Sequence, residues 1–332
     1  MQPIKKILVP TDFSDRAEPA YKHSEEIACR FGARVDFIHI IPTLKYFQES
    51  MARLGAPLDM EGEIYPKAQQ KALRQLDELM DIHLEQEHKG EAICKIGRKP
   101  SARILAWARE NTYDLIVMAS RGKHNTHLLR GSTAEQMIRY SPIPVFNVDT
   151  YSPSDRQKRL VLPTDGSMIS LSALPMALTL ADIYEAEIAF YHVKELYGSP
   201  LDDDQEQDPG KSEEAHIHEA LMVRVEEYLS NEKLDHIRII PGEADFENQL
   251  EISDGASTRT VHSRTVIEKR VTAHVGIENY ARDHADFVVM ATHGHSGWAH
   301  LFLGSTTEKV AQYLDLPVVT VKPPASRLKE QS

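Results

Sequence analysis

Two kinds of loop in this chain hold residues whose types and spacing suit a phosphate-bearing ligand. One reads Pro10-Thr11-Asp12 and, further on, Pro163-Thr164-Asp165-Gly166-Ser167. A carboxylate held there could accept hydrogen bonds from a ribose or a base. The other begins at Ala119 or Ala291, passes a glycine (Gly122, Gly294) and closes on Gly131-Ser132-Thr133 or Gly304-Ser305-Thr306 at the mouth of a helix. Glycine lets the backbone approach a ligand closely. The unpaired N–H groups and positive dipole end of a helix start make an anion site that needs no basic side chain. A blander role is open for both loops. Asp12 or Ser14, and Asp165 or Ser167, could cap the next helix, and Ser132-x-x-Glu135 and Ser305-x-x-Glu308 read as capping boxes.

Other chemistries lack their residues. The sequence contains neither Gly-x-x-x-x-Gly-Lys-Ser/Thr nor Gly-x-Gly-x-x-Gly, so P-loop and dinucleotide readings lose their main support. Gly294-His295-Ser296-Gly297 lacks the glycine that a hydrolase elbow needs two residues after its serine, because Trp298 stands there. His293 and His295 could pair on zinc, but no third ligand has a fixed spacing, so no metal site is expected. Cys29 and Cys94 are too few and too far apart for a disulfide framework or a cysteine zinc site, and are expected as core thiols. His39 and His192 are expected to pack against strands. Trp107 is expected in a core, and Trp298, inside the glycine loop, is placed to lid a ligand.

The elements that position these loops occur twice. Ile7-Leu8-Val9-Pro10-Thr11-Asp12 matches Leu160-Val161-Leu162-Pro163-Thr164-Asp165 at an offset of 153, and Phe37-Ile38-His39-Ile40 matches Phe190-Tyr191-His192-Val193 at the same offset. Tyr113-Asp114-Leu115 through Gly122 matches Ala285-Asp286-Phe287 through Gly294 at 172, and the Gly131 and Gly304 blocks stand 173 apart. Four blocks in one order mark an internal duplication. The drift in offset places an insertion of 19 residues in the second copy, around residues 237–261. The expected domains are 1–150 and 157–323. In the first copy, apolar runs predict strands at 5–10, 35–41, 92–96, 115–119 and 145–148. Helical periodicity predicts helices at about 15–31, 66–87 and 101–108 (capped by Ser101), and a fourth after Gly131. Strands this apolar are covered on both faces, which implies an α/β fold of two doubly wound parallel sheets. Such sheets bind ligands at the carboxyl ends of their strands, where the two loops fall.

Composition sets limits. A 332-residue chain has room for two cores, and 41% hydrophobic with 27% charged residues is ordinary for a globular protein. A net charge of −12 opposes a nucleic-acid or anionic-membrane surface. No apolar run is long enough to span a bilayer, and the first residues show no signal-peptide pattern, so a cytoplasmic location is expected. The acidic stretch 202–210 is expected as a solvated loop.

Strand one ending in Pro-Thr-Asp, the Gly-x2-Gly-x9-Gly-Ser-type loop after strand four, and a terminal Pro-Val-x-x-Val strand together resemble the universal stress protein family, as a tandem pair over nearly the whole chain. The resemblance implies two adenine nucleotide alpha hydrolase-like domains with strand order 3-2-1-4-5. It also implies ATP or AMP as ligand, with Mg on the phosphates, in a stress-response sensor or regulator rather than a fast enzyme. Carried across by position, it implicates Pro163, Thr164, Asp165, Val193, Ala291, Gly294, Gly304, Ser305 and Thr306 in the second copy. In the first it implicates Asp12, Ile40, Gly122, Gly131, Ser132 and Thr133. It further implies that the repeats form an intramolecular pseudo-dimer through their last strands, with a further homodimer open. Two departures stand out. The first glycine of the pattern is alanine in both copies, Ala119 and Ala291, and the first loop encloses eight residues where the second encloses nine. The second copy is therefore expected to be the better site. A slow ATPase or adenylyl-transfer enzyme of similar fold, and a scaffold without ligand, are the alternative readings.

Overall fold

The structure, a computed structural model, describes residues 3–55, 58–121, 131–151, 157–195, 211–253, 255, 257–293 and 304–324. Gly122, Gly294, His295, Trp298 and the acidic stretch 202–210 lie outside the described residues. The chain divides into two compact units, Pro3–Tyr151 and Ser152–Ser332, the latter joined by the first two residues.

In the first unit β1 (Lys6–Pro10) leads through a 3₁₀ turn (Asp15–Ala17) into α1 (Glu18–Phe31). Ala20, Ile27 and Ala28 bury one face of α1. Gly32 ends the helix at φ +64, a conformation that costs most side chains strain. Then follow β2 (Arg34–Pro42), α2 (Lys45–Arg53), a π-helical turn (Met60–Ile64), α3 (Tyr65–His83) and β3 (Lys89–Gly97). The unit closes with α4 (Pro100–Glu110), β4 (Leu115–Ala119), α5 (Ser132–Tyr140) and β5 (Val145–Val148). All pairings are parallel, in the order β3-β2-β1-β4-β5. The expected 3-2-1-4-5 sheet is present.

One charged side chain sits inside this core. Asp36 of β2 is 1% exposed. Its carboxylate accepts hydrogen bonds from Tyr113 Oη at 2.6 Å and Glu91 N–H at 2.7 Å, and Lys6 Nζ lies 3.2 Å away. Burial, with the Asp36 carboxylate adding to it, pushes the Tyr113 phenol far above its ordinary range, so it stays a donor. Gly90 makes room for the arrangement, because a Cβ there would fall 1.9 Å from Asp36 Oδ1.

The second unit repeats the plan: β6 (Arg159–Pro163), α6 (Met168–Leu171), α7 (Leu174–Tyr184) and β7 (Glu187–Glu195), then α8 (Glu213–Asn231). Next come β8 (Ile237–Pro241), β9 (Glu247–Ser253) and β10 (Thr258–Arg270). It ends with α9 (Ala273–His284), β11 (Phe287–Ala291), α10 (Ser305–Tyr313) and β12 (Val318–Val321). The parallel order β10-β7-β6-β11-β12 is again 3-2-1-4-5. The stretch 237–261 adds two antiparallel strands, β9 on β10 and β8 on β9. Alternate burial of Asn248, Leu250 and Ile252 shows β9 with one covered face. No described helix is long and apolar enough to cross a membrane.

Several local expectations need correction. Ser101 does not cap α4: the N-cap is Lys99, and the Ser101 hydroxyl donates to Gln136 Oε1. The helix expected to reach residue 87 stops at His83, where buried Leu84 turns extended. Cys94 is a buried thiol, but Cys29 is exposed. Trp107 is only partly buried. It packs on the core while its indole N–H reaches Tyr113 Oη, and Lys95 Nζ lies 4.2 Å from its ring centroid.

Candidate functional site

Strand order reverses between β1 and β4, so the chain leaves their carboxyl ends in opposite directions and opens a crevice. In the first repeat that crevice is a cavity of about 270 Å³. The volume falls just below the usual range for small-molecule sites, roughly 300–1,000 Å³. The cavity wall includes Asp12 after β1, Ile40 in β2, Ala119 ending β4, and Gly131, Ser132 and Thr133 at the start of α5. Of the first-repeat residues singled out from sequence, the structure brings together all but Gly122, which lies outside the described residues. It adds Ile38, Ile104 and Met118 as an apolar lining, and His39 and Arg121 as polar ones.

The loop after β1 is held from three directions. Thr11 N–H donates to Ile38 O at 2.9 Å, extending the sheet by a residue. His39 Nδ1 lies 2.8 Å from Thr11 O, and since a carbonyl only accepts, Nδ1 carries the proton. Asp12 Oδ1 accepts from the Ser14 N–H at 3.1 Å and the Ser14 hydroxyl at 2.6 Å. The loop bends through Phe13 at φ +63, a strained conformation for an aromatic residue. The Phe13 ring lies 4.4 Å from that of His39, and its N–H donates to Thr11 Oγ1. Thr11 Oγ1 also meets the Tyr21 hydroxyl. Burial pushes the Tyr21 phenol up to about 12, so it remains neutral.

The helix mouth differs from the expected capping boxes. Gly131 is itself the N-cap, at φ −67 and ψ 142, and Ser132 is the first helical residue without a capping bond. Glu135 turns instead toward Arg139, at 3.6 Å. Gly131 N–H is spent on Ser120 O at 2.8 Å, tying the loop's end to the end of β4. The first helical hydrogen bond runs from Glu135 N–H to Gly131 O. The amides of Ser132, Thr133 and Ala134 therefore have no partner within the helix, and all three residues line the cavity. Backbone dihedrals at Gly131 suit any residue. What glycine supplies here is a missing side chain.

The second repeat rebuilds this frame. Thr164 N–H donates to Tyr191 O at 2.9 Å, His192 Nδ1 lies 3.0 Å from Thr164 O, and Asp165 Oδ1 accepts from the Ser167 N–H and hydroxyl at 3.0 and 2.6 Å. Gly166, at φ +77, takes the turn that Phe13 makes under strain. Ser167 does cap α6, through Ser170 N–H. Gly304 is the N-cap of α10, its N–H bonded to Thr292 O at 2.8 Å, with Ser305 and Thr306 following and no capping box formed. Pro163 and Ala291 end β6 and β11, and Val193 lies in β7. Gly294 is outside the described residues. One substitution changes the floor. Tyr191 stands where the first repeat has Ile38, stacked on Tyr280 at 4.7 Å, its hydroxyl bonded to Glu268.

Sequence reasoning missed two features. Arg121, on the cavity wall, brings a guanidinium whose Nε is 3.9 Å from Asp149 Oδ1. It immediately precedes Gly122, and that position was the available signal. His39 and His192 do more than pack, since each ring fixes the carbonyl of the Pro-Thr-Asp loop; their repetition at one offset was the clue. Among the described residues, the clusters of possible metal ligands, Glu25–Cys29–His88 and Glu85–Glu87–His88, lie away from the crevice.

Comparison with known proteins agrees with this architecture. The family model described as "Universal stress protein family" matches residues 3–148 and again 157–322. A universal stress protein from Mycolicibacterium smegmatis is 23% identical over 324 residues, covering 96% of this chain and 97% of its own. Another, from Methanocaldococcus jannaschii, is 29% identical over 153 residues, covering 43% of this chain and 94% of its own. A solved universal stress protein from Archaeoglobus fulgidus shares the fold at a TM-score of 0.57 and 18% identity, covering 97% of both chains.

Proposed function

The chain belongs to the universal stress protein family, and from that premise we propose that its first repeat binds an adenine nucleotide in the crevice between β1 and β4. The observation that carries this reading is the convergence on one cavity of Asp12 and the Ser132, Thr133 and Ala134 amides, over an apolar floor. In this reading Ile38, Ile40, Ile104 and Met118 receive the base, Asp12 accepts from base or ribose, and the amides take the phosphates. A helix start without basic side chains favours anions by backbone dipoles alone. Arg121 adds one cation by turning from Asp149. Mg²⁺ keeps most of its own waters and binds through phosphates, so its place would be set by the nucleotide.

The groups this reading uses are backbone amides, one carboxylate acceptor and an apolar floor, which hold a nucleotide in place, so the proposed role is binding and reporting of nucleotide rather than rapid turnover. The matching frame of the second repeat supports a second site built on Asp165, Val193, Gly304, Ser305 and Thr306, with Tyr191 narrowing its floor. Titration calorimetry with ATP, AMP, adenosine and GTP, with and without Mg²⁺, tests the reading. Saturable binding of ATP or AMP, tighter than that of GTP, is expected; no heat with any adenine nucleotide would leave a scaffold. Arg121→Gln is expected to weaken ATP about tenfold, as loss of one charge-assisted contact does, while leaving adenosine within about twofold.

A further inference from the structure

We propose that Glu25, Cys29 and His88 form a binding site for one zinc-like divalent cation, separate from the nucleotide crevice. Glu25 and Cys29 stand one helical turn apart on α1, so both side chains leave the same face. His88 comes from the turn between α3 and β3, and its carbonyl accepts from Val35 N–H, which anchors it at the amino-terminal ends of β2 and β3. The crevice lies at the opposite, carboxyl ends of these strands.

The three donor atoms form a triangle. Cys29 Sγ is 3.5 Å from Glu25 Oε1 and 3.9 Å from His88 Nδ1, and Nδ1 is 2.9 Å from Oε1. A tetrahedral zinc with Zn–S of about 2.3 Å and Zn–N and Zn–O of about 2.0–2.1 Å requires edges of roughly 3.5 Å to sulfur and roughly 3.3 Å between nitrogen and oxygen. Each observed edge is within about half an ångström of that geometry, inside the reach of small side-chain rotations. The surroundings also suit a ligand set. Glu85 N–H donates to Glu25 Oε1 at 3.2 Å, and the far nitrogen of His88 lies 3.6 Å from Glu87 Oε1. That exposed carboxylate stands just beyond hydrogen-bond distance, near enough to favour an N–H on the nitrogen turned away from the metal. Glu25 Oε2 is buried with no hydrogen-bond partner. An ion pair of His88 with Glu25 alone would account for neither that oxygen nor the thiol on the same two atoms.

Thiol, imidazole and one carboxylate select zinc or a neighbouring transition metal over Mg²⁺ or Ca²⁺, which prefer all-oxygen sites. Three protein ligands leave a fourth position for water. The second repeat carries Leu178 and Asp182 at the places of Glu25 and Cys29. The trio is therefore a feature of this repeat and not a requirement of the fold.

The test uses the full-length chain without a histidine tag. Zn²⁺ competition against a chromophoric chelator is expected to show a site of micromolar or tighter affinity, and Co²⁺ is expected to give a sulfur-to-metal charge-transfer band. Cys29→Ser should abolish the band and weaken this site at least about tenfold, the scale of losing a ligand or its support. Cys94→Ser should change neither, and His88→Gln should weaken the site as Cys29→Ser does. Circular dichroism confirms that each variant is folded. No metal uptake at about 10 µM free Zn²⁺ overturns the proposal, as does uptake or a charge-transfer band that persists unchanged in Cys29→Ser.

Discussion

Replacing Gly131 with Asp is expected to lower the first repeat's ATP affinity at least about 100-fold, some 2.7 kcal/mol, without unfolding the chain. Gly131 is the N-cap of α5 and already has extended backbone angles that any residue adopts. Aspartate is among the best N-caps, its carboxylate accepting from the second or third helical amide. In this variant those amides are Thr133 and Ala134, the groups assigned to the phosphates. The new side chain thus satisfies the amides internally and places a negative charge where the phosphates would sit. Charge-assisted hydrogen bonds contribute about 1.5–3 kcal/mol each, so losing two exceeds the threshold. Melting temperature without nucleotide should hold or rise slightly. If the second repeat also binds, Gly131→Asp lowers the stoichiometry by one, and adding Gly304→Asp removes the rest. Calorimetry on single and double variants reads both quantities; an unchanged affinity and stoichiometry in the double variant would rule out the helix mouths as the phosphate sites.

The second large effect concerns stability. Asp36→Ala is expected to cost about 3–5 kcal/mol, the range for breaking one partner of a buried charged network. The substitution strands the Tyr113 hydroxyl and the Glu91 N–H, which now converge on one carboxylate with the Lys6 ammonium, a third exposed to water. For a unit of this size that corresponds to a fall of roughly 6–20 °C in melting temperature. Asp36→Asn keeps an acceptor for Tyr113 and should lose less. Gly90→Ala should destabilise by the same route, since its methyl would land on Asp36 Oδ1. Differential scanning calorimetry of the three variants checks the order: Asp36→Ala as stable as the parent would show that the carboxylate contributes nothing.

Much of this was legible in the residues. The strands at Leu115–Ala119 and Val145–Val148 follow directly from their apolar runs, and Gly32 marks the end of α1 where the sequence places it. Duplication showed that one plan occurs twice, because blocks repeated in the same order repeat in space, while the strand order 3-2-1-4-5 came from the family resemblance. Other features depended on contacts that no window of sequence contains. Asp36 reads as a flaw in an apolar strand until Tyr113, 77 residues on, meets it. The capping boxes failed because glycine, not serine, took the cap, a shift of one residue that periodicity does not resolve. Cys29 was expected as a core thiol, yet it is exposed and lies beside His88, whose place depends on where α3 stops. For α8, which the sequence reading did not place, the available signal was Ser212 before two glutamates, with Ile217, Leu221 and Val225 at helical spacing. The added strands β8 and β9 were not separable from an insertion without seeing what they pair with.

The proposed function rests on backbone amides at the mouth of α5, exposed by a glycine, taking the phosphates of an adenine nucleotide. Amide-detected NMR of the ¹⁵N-labelled full-length chain titrated with ATP tests it most directly. The amides of Ser132, Thr133 and Ala134 should move together and saturate with one dissociation constant, while adenosine shifts residues around Ile38, His39 and Ile40 and leaves the helix mouth nearly still. ATP binding that saturates with those three amides unmoved would contradict the account.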